Sequence, residues 1–270
     1  MPTEEELQQL VDGVTNTAKY RNISLDLVRN VGRRELWARH SLKEAIKATR
    51  SKLHQVGSAY LPTRAQYSAW ERALRDARGD EPALRTACLQ ILAQHASTRE
   101  RLPILAQIYA RTLAEIAPVH SVLDIACGFS PLAAPWMPLA PGAVYRAYDI
   151  YHDLVAFLEI SLPLLGLQPE VETRDVTVGV SGAPAVDVAL LMKAIPCLEQ
   201  IDKQCALPLL RSVPARHLVV SFPVRSLGGA NRRMTDNYAF RMNELLRELG
   251  WSSQRFDFEA ELVYLVEKPV

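Results

Sequence analysis

Three aspartates stand at the ends of short apolar runs. Asp124 lies in Val122-Leu-Asp-Ile-Ala-Cys-Gly128, Asp149 closes Ala143-Val-Tyr-Arg-Ala-Tyr-Asp149, and Asp175 closes Val171-Glu-Thr-Arg-Asp175. Taken singly, Asp124 reads as a turn residue at a strand end and Asp149 as a helix cap. Taken together, carboxylates at successive strand tips read as a ligand site, because ligands of open α/β sheets bind beyond the carboxyl ends of the strands. Ala126, Cys127 and Gly128 follow the first run. Residues this small let a ligand approach the backbone.

The ligand class follows from what is missing. A dinucleotide needs G-x-G-x-x-G to bring a helix N-terminus onto its pyrophosphate. Only Gly128 is present in that stretch, so a cofactor without phosphate, S-adenosylmethionine, fits better. Asp149, 25 residues after Asp124, would accept from the ribose hydroxyls. Asp175 would accept from the adenine amino group, with Val176 against the ring. Cys127 reads as a small packing residue, since no activating base stands near it in sequence.

The elements that must hold these residues alternate. From Pro118 onward five apolar runs, at 120–126, 143–150, 171–177, 186–193 and 217–224, are separated by helical stretches at 153–166 and 197–213. This pattern predicts a parallel sheet with helices on both faces. Residues 256–260 and 262–268 predict an antiparallel pair at one sheet edge. The fold class is therefore α/β, a Rossmann-like sheet of the class I S-adenosylmethionine-dependent methyltransferase kind, with an extra helical N-terminal domain. Residues 1–117 read as helical from apolar residues three and four apart. Ser41 with Glu44 predicts a capping box, Thr63 a cap for a helix through Ala73, Pro82 a helix start, and Ser97 or Thr98 the opening of a helix through Ala117.

Charge divides the chain. Residues 15–78 carry 14 Lys/Arg against 5 Asp/Glu, and the remainder 17 against 25, within 270 residues of net charge +1. A segment this basic suits a polyanion such as RNA; its plainer reading is a solvated helical surface. The acidic start and the absence of an apolar run of about 18 residues predict neither a signal peptide nor a membrane span. Cys88, Cys127, Cys197 and Cys205 form no CxxC pair, so reduced thiols in a cytoplasmic protein are expected, with no metal site.

Longer segments carry a resemblance. His95-Ala-Ser-Thr-Arg-Glu-Arg-Leu102, Val122 to Gly128 with Pro131, and Ser221-Phe-Pro-Val-Arg-Ser-Leu-Gly-Gly229 resemble signature segments of the 16S rRNA (guanine(1405)-N(7))-methyltransferases that confer aminoglycoside resistance. Shorter matches at Lys19-Tyr20-Arg21, Leu53-His54 through Ala59-Tyr60, Lys193 to Glu199 and Glu261 to Tyr264 extend it along nearly the whole chain. The resemblance implies a helical domain over residues 1–95 that docks on the assembled 30S subunit, and a catalytic domain over 96–270. It implies that Arg99 holds the methionine carboxylate of the cofactor, as a guanidinium can bidentately. Ala126, Gly128, Asp149, Ile150, Asp175 and Val176 would line the rest of the pocket. Ala230 stands where the family carries a basic residue, with Arg232 and Arg233 close by.

Guanine N7 transfer needs alignment and no general base, which agrees with the lack of a His/Asp or Ser/His pair. Lys193 is then the candidate donor to guanine O6 or a phosphate, and Glu199 the candidate acceptor from guanine N1 and N2. Arg225, Arg232 and Arg233 are candidate phosphate contacts on a glycine-containing loop. Lys19, Arg21, Arg50, Lys52, Arg64 and Arg72 are candidate docking residues of a monomeric enzyme acting on 16S rRNA. Three other readings remain: a cytosine-C5 methyltransferase using Cys197, a small-molecule methyltransferase, and a non-catalytic ribosome-binding protein.

Overall fold

The computed structural model describes residues 2–39, 41–58, 65–226, 229–230 and 232–269. Its first third is helical: α1 (Glu4–Thr15), α2 (Leu25–Ala38), α3 (Leu42–Leu53), α4 (Tyr67–Asp76), α5 (Glu81–Leu92), α6 (Ala96–Arg101) and α7 (Leu105–Thr112). The periodicity that predicts these helices buries Leu7, Leu10, Val11 and Val14 of α1 and Leu27, Val28 and Val31 of α2. Their starts follow side-chain chemistry. Thr3 and Glu6 make a reciprocal capping box at α1, Ser24 caps α2, and Asp80 caps α5 with Pro82 in its first turn.

Three expected starts differ. Ser41 occupies the cap position of α3 but its side chain makes no capping hydrogen bond. Gln66 precedes α4, and Thr63 lies outside the described residues. His95, not Ser97 or Thr98, precedes α6. A 3-10 turn over Leu102–Ile104 then separates α6 from α7, because Pro103 has no N–H to continue the helical ladder.

The remainder alternates: β1 (Val119–Ile125), β2 (Leu139–Asp149), α8 (His152–Ser161), β3 (Gln168–Thr173), β4 (Val186–Met192), α9 (Ala194–Ile201), α10 (Ala206–Ser212), β5 (Ala215–Pro223), the short pair β6 (Arg225–Ser226) and β7 (Gly229–Ala230), α11 (Arg232–Leu249), β8 (Ser252–Asp257) and β9 (Glu261–Glu267). Among the described residues seven strands form one sheet in the order β3-β2-β1-β4-β5-β9-β8. The first five are parallel and β8–β9 is an antiparallel hairpin at one edge, as expected. The chain runs outward from β1 to β3 and returns to β4 on the other side of β1, so strand order reverses between β1 and β4. The stretch read as one helix over 197–213 is two, α9 and α10, broken at Asp202.

Strand alternation assigns the two faces. Val122, Tyr145 and Ala147 pack with Phe157 and with helix residues such as Leu27 and Ile91 in one buried cluster. Leu123, Ile125, Leu191 and Phe222 pack with Leu209 of α10 and Met242 of α11 in the other. The first cluster runs from the N-terminal helices into the sheet without a break. Polar contacts cross the same seam. Ser24 N–H donates to Ile150 O at 2.7 Å and His152 N–H to Asn22 O at 2.8 Å. Asn22 Nδ2 donates to Asp153 Oδ2 at 2.9 Å.

Candidate functional site

The backbone turns sharply where β1 and β4 end. Ala126 and Lys193, the residues just past β1 and one past Met192, have φ of +54° and +57°. Left-handed backbone at non-glycine residues is costly and gathers at functional sites. Gly128 follows with φ +53°, and a Cβ built there would lie 3.0 Å from His95 Nε2. These turns open a pocket at the point where strand order reverses. Ala126, Gly128, Asp149, Ile150, Asp175 and Val176 all line it, so six expected cofactor residues converge.

Asp149 is the best-braced group in the wall. Its Oδ2 accepts from Gly128 N–H at 2.8 Å, and its Oδ1 from Ile150 N–H at 2.7 Å and Tyr151 N–H at 3.3 Å. Burial pushes its pKa up, while the backbone donors at Gly128, Ile150 and Tyr151 pull it down. Three fixed donors leave the carboxylate one orientation and spare lone pairs to accept hydroxyls. Asp175 does not end β3 but caps the 3-10 turn over Val176–Val178. Its Oδ1 accepts from Thr177 N–H at 2.9 Å and Thr177 Oγ1 at 2.6 Å.

The arginine of α6 that lines the pocket is Arg101 and not Arg99. Arg99 is exposed and is not among the lining residues, which include Ser97, Thr98 and Arg101. Helical geometry explains the correction: positions 97, 98 and 101 share a face, and 99 points away from it. Arg101 is fully buried and its Nε donates to Glu261 Oε1 at 2.7 Å. Burial opposes its charge, but Glu261 beside it more than offsets this and the pKa moves up. Lys193 joins the same network. Its Nζ lies 2.8 Å from Glu100 Oε2, 3.4 Å from Glu261 Oε1 and 3.3 Å from Ser97 O. Lys193 therefore lines the pocket as a buried, paired ammonium, not a free one. His95 sits against these cations. Burial first, then Arg101 and Lys193, pull its pKa down to about 3, so it is neutral.

Two further expectations are corrected. Asp124 is fully buried and does not line the pocket; its Oδ2 accepts from Tyr145 Oη at 2.9 Å. The strand continues through Ile125, and alternation turns Asp124 to the Val122 side, under α6 and α7. Burial pushes its pKa up to about 7, against the Tyr145 hydrogen bond and Arg101. Glu199 is absent from the lining residues and accepts from Arg241 Nη2 at 2.9 Å and Nε at 3.1 Å. Its position on α9 faces α11, a helix that begins at Arg232 where the sequence predicts a loop.

The basic candidates divide. Lys19, Arg21 and Arg72 are exposed, with Lys19 Nζ 3.0 Å from His54 Nδ1. Arg50 and Lys52 serve the fold: Arg50 donates to Gly13 O, and Lys52 pairs with the buried Glu35 at 2.8 Å. Arg64 and the side chains of Arg225, Arg232 and Arg233 lie outside the described residues.

Several lining residues have no motif to announce them. Leu27, Val56 and Gly57 come from the N-terminal helical region. Gly57 is needed for this approach, since a Cβ there would lie 2.5 Å from Tyr151 Oη. Cys197 also lines the pocket. Cys127 does too, but burial, then Asp149 and Asp124, push its thiol pKa well up, which suits packing and not nucleophilic attack.

Comparison with known proteins adds a chemical identity to this geometry. The family model described as ribosomal RNA methyltransferase (FmrO) matches residues 16–265. The 16S rRNA (guanine(1405)-N(7))-methyltransferase of Micromonospora echinospora is 34% identical over 269 residues, covering 98% of this chain and 98% of the relative. The protein of the same name from Serratia marcescens is 31% identical, covering 97% and 98%. The solved structure of 16S rRNA methyltransferase RmtF in complex with S-adenosyl-L-homocysteine superposes with a TM-score of 0.82 at 34% identity, over 99% of this chain and 100% of that one. The 16S rRNA methylase RmtB superposes with a TM-score of 0.80 at 28% identity, over 97% and 98%.

Proposed function

Because the chain belongs to the ribosomal RNA methyltransferase (FmrO) family, we propose that its strand-tip pocket binds S-adenosylmethionine and delivers the methyl group to rRNA on the assembled 30S subunit. The chain is an S-adenosylmethionine-dependent 16S rRNA (guanine(1405)-N(7))-methyltransferase. The observation that carries the pocket assignment is the Asp149 carboxylate, held by three backbone N–H groups in the wall that also presents Asp175.

The residues present fit this cofactor. Asp149 takes the ribose hydroxyls, Asp175 the adenine amino group, and Val176 and Ile150 the faces of the ring. Ala126 and Gly128 keep the backbone close. Arg101, the arginine of α6 that lines the pocket, supplies positive charge for the carboxylate, the role expected of Arg99. When bound, the cofactor supplies a methyl group made electrophilic by its sulfonium.

Guanine N7 is a free lone pair that loses no proton on methylation, so the chain supplies alignment and no general base. The neutral His95 and the high-pKa Cys127 agree with that division of labour. The guanine must leave its stack to reach the pocket. Lys193 then turns from Glu100 to guanine O6 or a phosphate. Glu199, tied to Arg241, acts from outside the pocket, as a brace between α9 and α11. Methylation at N7 removes an acceptor and leaves a positive charge, which repels a polycationic aminoglycoside.

Residues 1–95 form the docking domain and 96–270 the catalytic domain. The basic segment 15–78 and the exposed Lys19, Arg21 and Arg72 support docking on rRNA phosphates; Arg225, Arg232 and Arg233 extend that contact. The enzyme acts as a monomer in the cytoplasm. Among the described residues no helix is long and apolar enough to cross a membrane. The test is transfer from methyl-labelled cofactor to intact 30S subunits and to naked 16S rRNA. Labelling of the subunit well above the naked RNA is expected; equal labelling would remove the docking reading.

A further inference from the structure

Asp175 is held from two directions. Thr177, two residues on, occupies Oδ1 through its N–H and hydroxyl at 2.9 and 2.6 Å. That local turn leaves the second oxygen to rotate. Oδ2 accepts instead from Asn30 Nδ2 at 2.8 Å, from a residue 145 positions away on α2. The carboxylate is 5% exposed and lines the pocket. Its plane is therefore set jointly by the sheet and by a helix of the N-terminal region. Leu27, one turn before Asn30 on α2, lines the same pocket, so α2 reaches it both with an apolar side chain and through Asp175.

We propose that Asn30 is a positioning residue for base selection: it orients Asp175 as a hydrogen-bond acceptor for the 6-amino group of the cofactor's adenine. This rests on the reading that the adenine lies at Asp175. A carboxylate held in this way accepts from a 6-amino purine and opposes the lone pairs of a 6-oxo purine. Discrimination between the two should then depend on Asn30, although Asn30 touches neither base. The helical region that docks the substrate would also tune the cofactor site.

Calorimetric titration with S-adenosylhomocysteine and with its deaminated analogue S-inosylhomocysteine tests this. The wild-type chain should prefer the adenosyl ligand by about 30-fold or more, since an acceptor facing an acceptor loses a hydrogen bond and adds repulsion. Asn30→Ala should weaken the adenosyl ligand by about tenfold and change the inosyl ligand by less than about threefold. Asn30→Asp keeps the side-chain size and remains informative if Asn30→Ala fails to fold. The Asn30→Asp variant removes the amide donor to Asp175 Oδ2, so the adenosyl preference should fall there as well. A preference unchanged in both variants, or an equal weakening of both ligands, would assign Asn30 a packing role and overturn the proposal. A wild-type chain that does not distinguish the ligands would instead overturn the adenine placement itself, and the inference with it.

Discussion

Arg101 and Glu261, 160 residues apart in sequence, meet in an ion pair with Nε 2.7 Å from Oε1, at 1% and 0% side-chain exposure. The pair joins α6 to the first residue of β9, the strand between β5 and the edge strand β8. Lys193 Nζ, 3.4 Å from the same carboxylate, ties in the tip of β4. One buried anion thus fixes two cations at the pocket wall.

Removing that anion leaves charge uncompensated. Glu261→Ala should destabilise the chain by about 3–5 kcal/mol, the usual cost of breaking a buried pair on one side. Urea unfolding measures this through the midpoint. An unchanged midpoint would mean that water already reaches the pair.

Asp124 makes stability depend on pH. Its folded pKa, near 7, lies above that of about 3.9 for an unfolded aspartate. The folded chain holds the proton more tightly, so this contribution is full below about pH 4 and is lost as pH rises through about 7. Asp124→Asn, which mimics the protonated side chain and keeps an acceptor for Tyr145, should flatten that decline and raise the melting temperature at pH 8. A variant that melts lower than wild type at pH 8 would show that the charged form is the stabilising one.

Lys193 should separate chemistry from cofactor binding. Lys193→Gln should lower methylation of 30S subunits at saturating cofactor by about tenfold or more, the scale of one lost charged hydrogen bond. Its calorimetric affinity for S-adenosylhomocysteine should change by less than about threefold. Equal losses in both would make Lys193 a structural support for Glu100 and Glu261.

Cys197 distinguishes N7 chemistry from attack on a pyrimidine ring. Because Cys197 lines the pocket, an alkyl group on it would block the site sterically, so alkylation does not test the mechanism. Substitution does. Cys197→Ser should keep methylation within about threefold of wild type, whereas a cysteine nucleophile would be lost altogether. Abolished activity with intact cofactor binding would favour the pyrimidine mechanism.

What the sequence makes legible follows from local pattern. Short apolar runs locate β1, β2 and β4 and the edge hairpin, and the acids and small residues that follow such runs locate the pocket residues Ala126, Gly128, Asp149 and Asp175. Side-chain direction is less legible. Arg99 and Arg101 look equivalent in His95–Leu102, and only the face that α6 buries chooses Arg101. Asp124 resembles Asp149 as a strand-end acid, yet lies one residue short of the tip and turns inward. Glu199 and Lys193 are six positions apart but face different partners, because Arg241 of α11 takes Glu199 while Glu100 and Glu261 take Lys193. Leu27, Gly57 and Asn30 reach the site only through tertiary packing of α2 and the turn after α3, which no local pattern encodes.

The reaction proposed for this pocket is methyl transfer to one ring nitrogen of one guanine. The direct measurement incubates 30S subunits with the chain and S-adenosylmethionine, then cleaves the 16S rRNA at N7-methylguanine by borohydride and aniline and maps the ends by primer extension. A single new stop at guanine 1405 is expected, absent without cofactor and absent with Asp149→Ala. Incorporation of label with no stop there, or with a stop at another base, would contradict it.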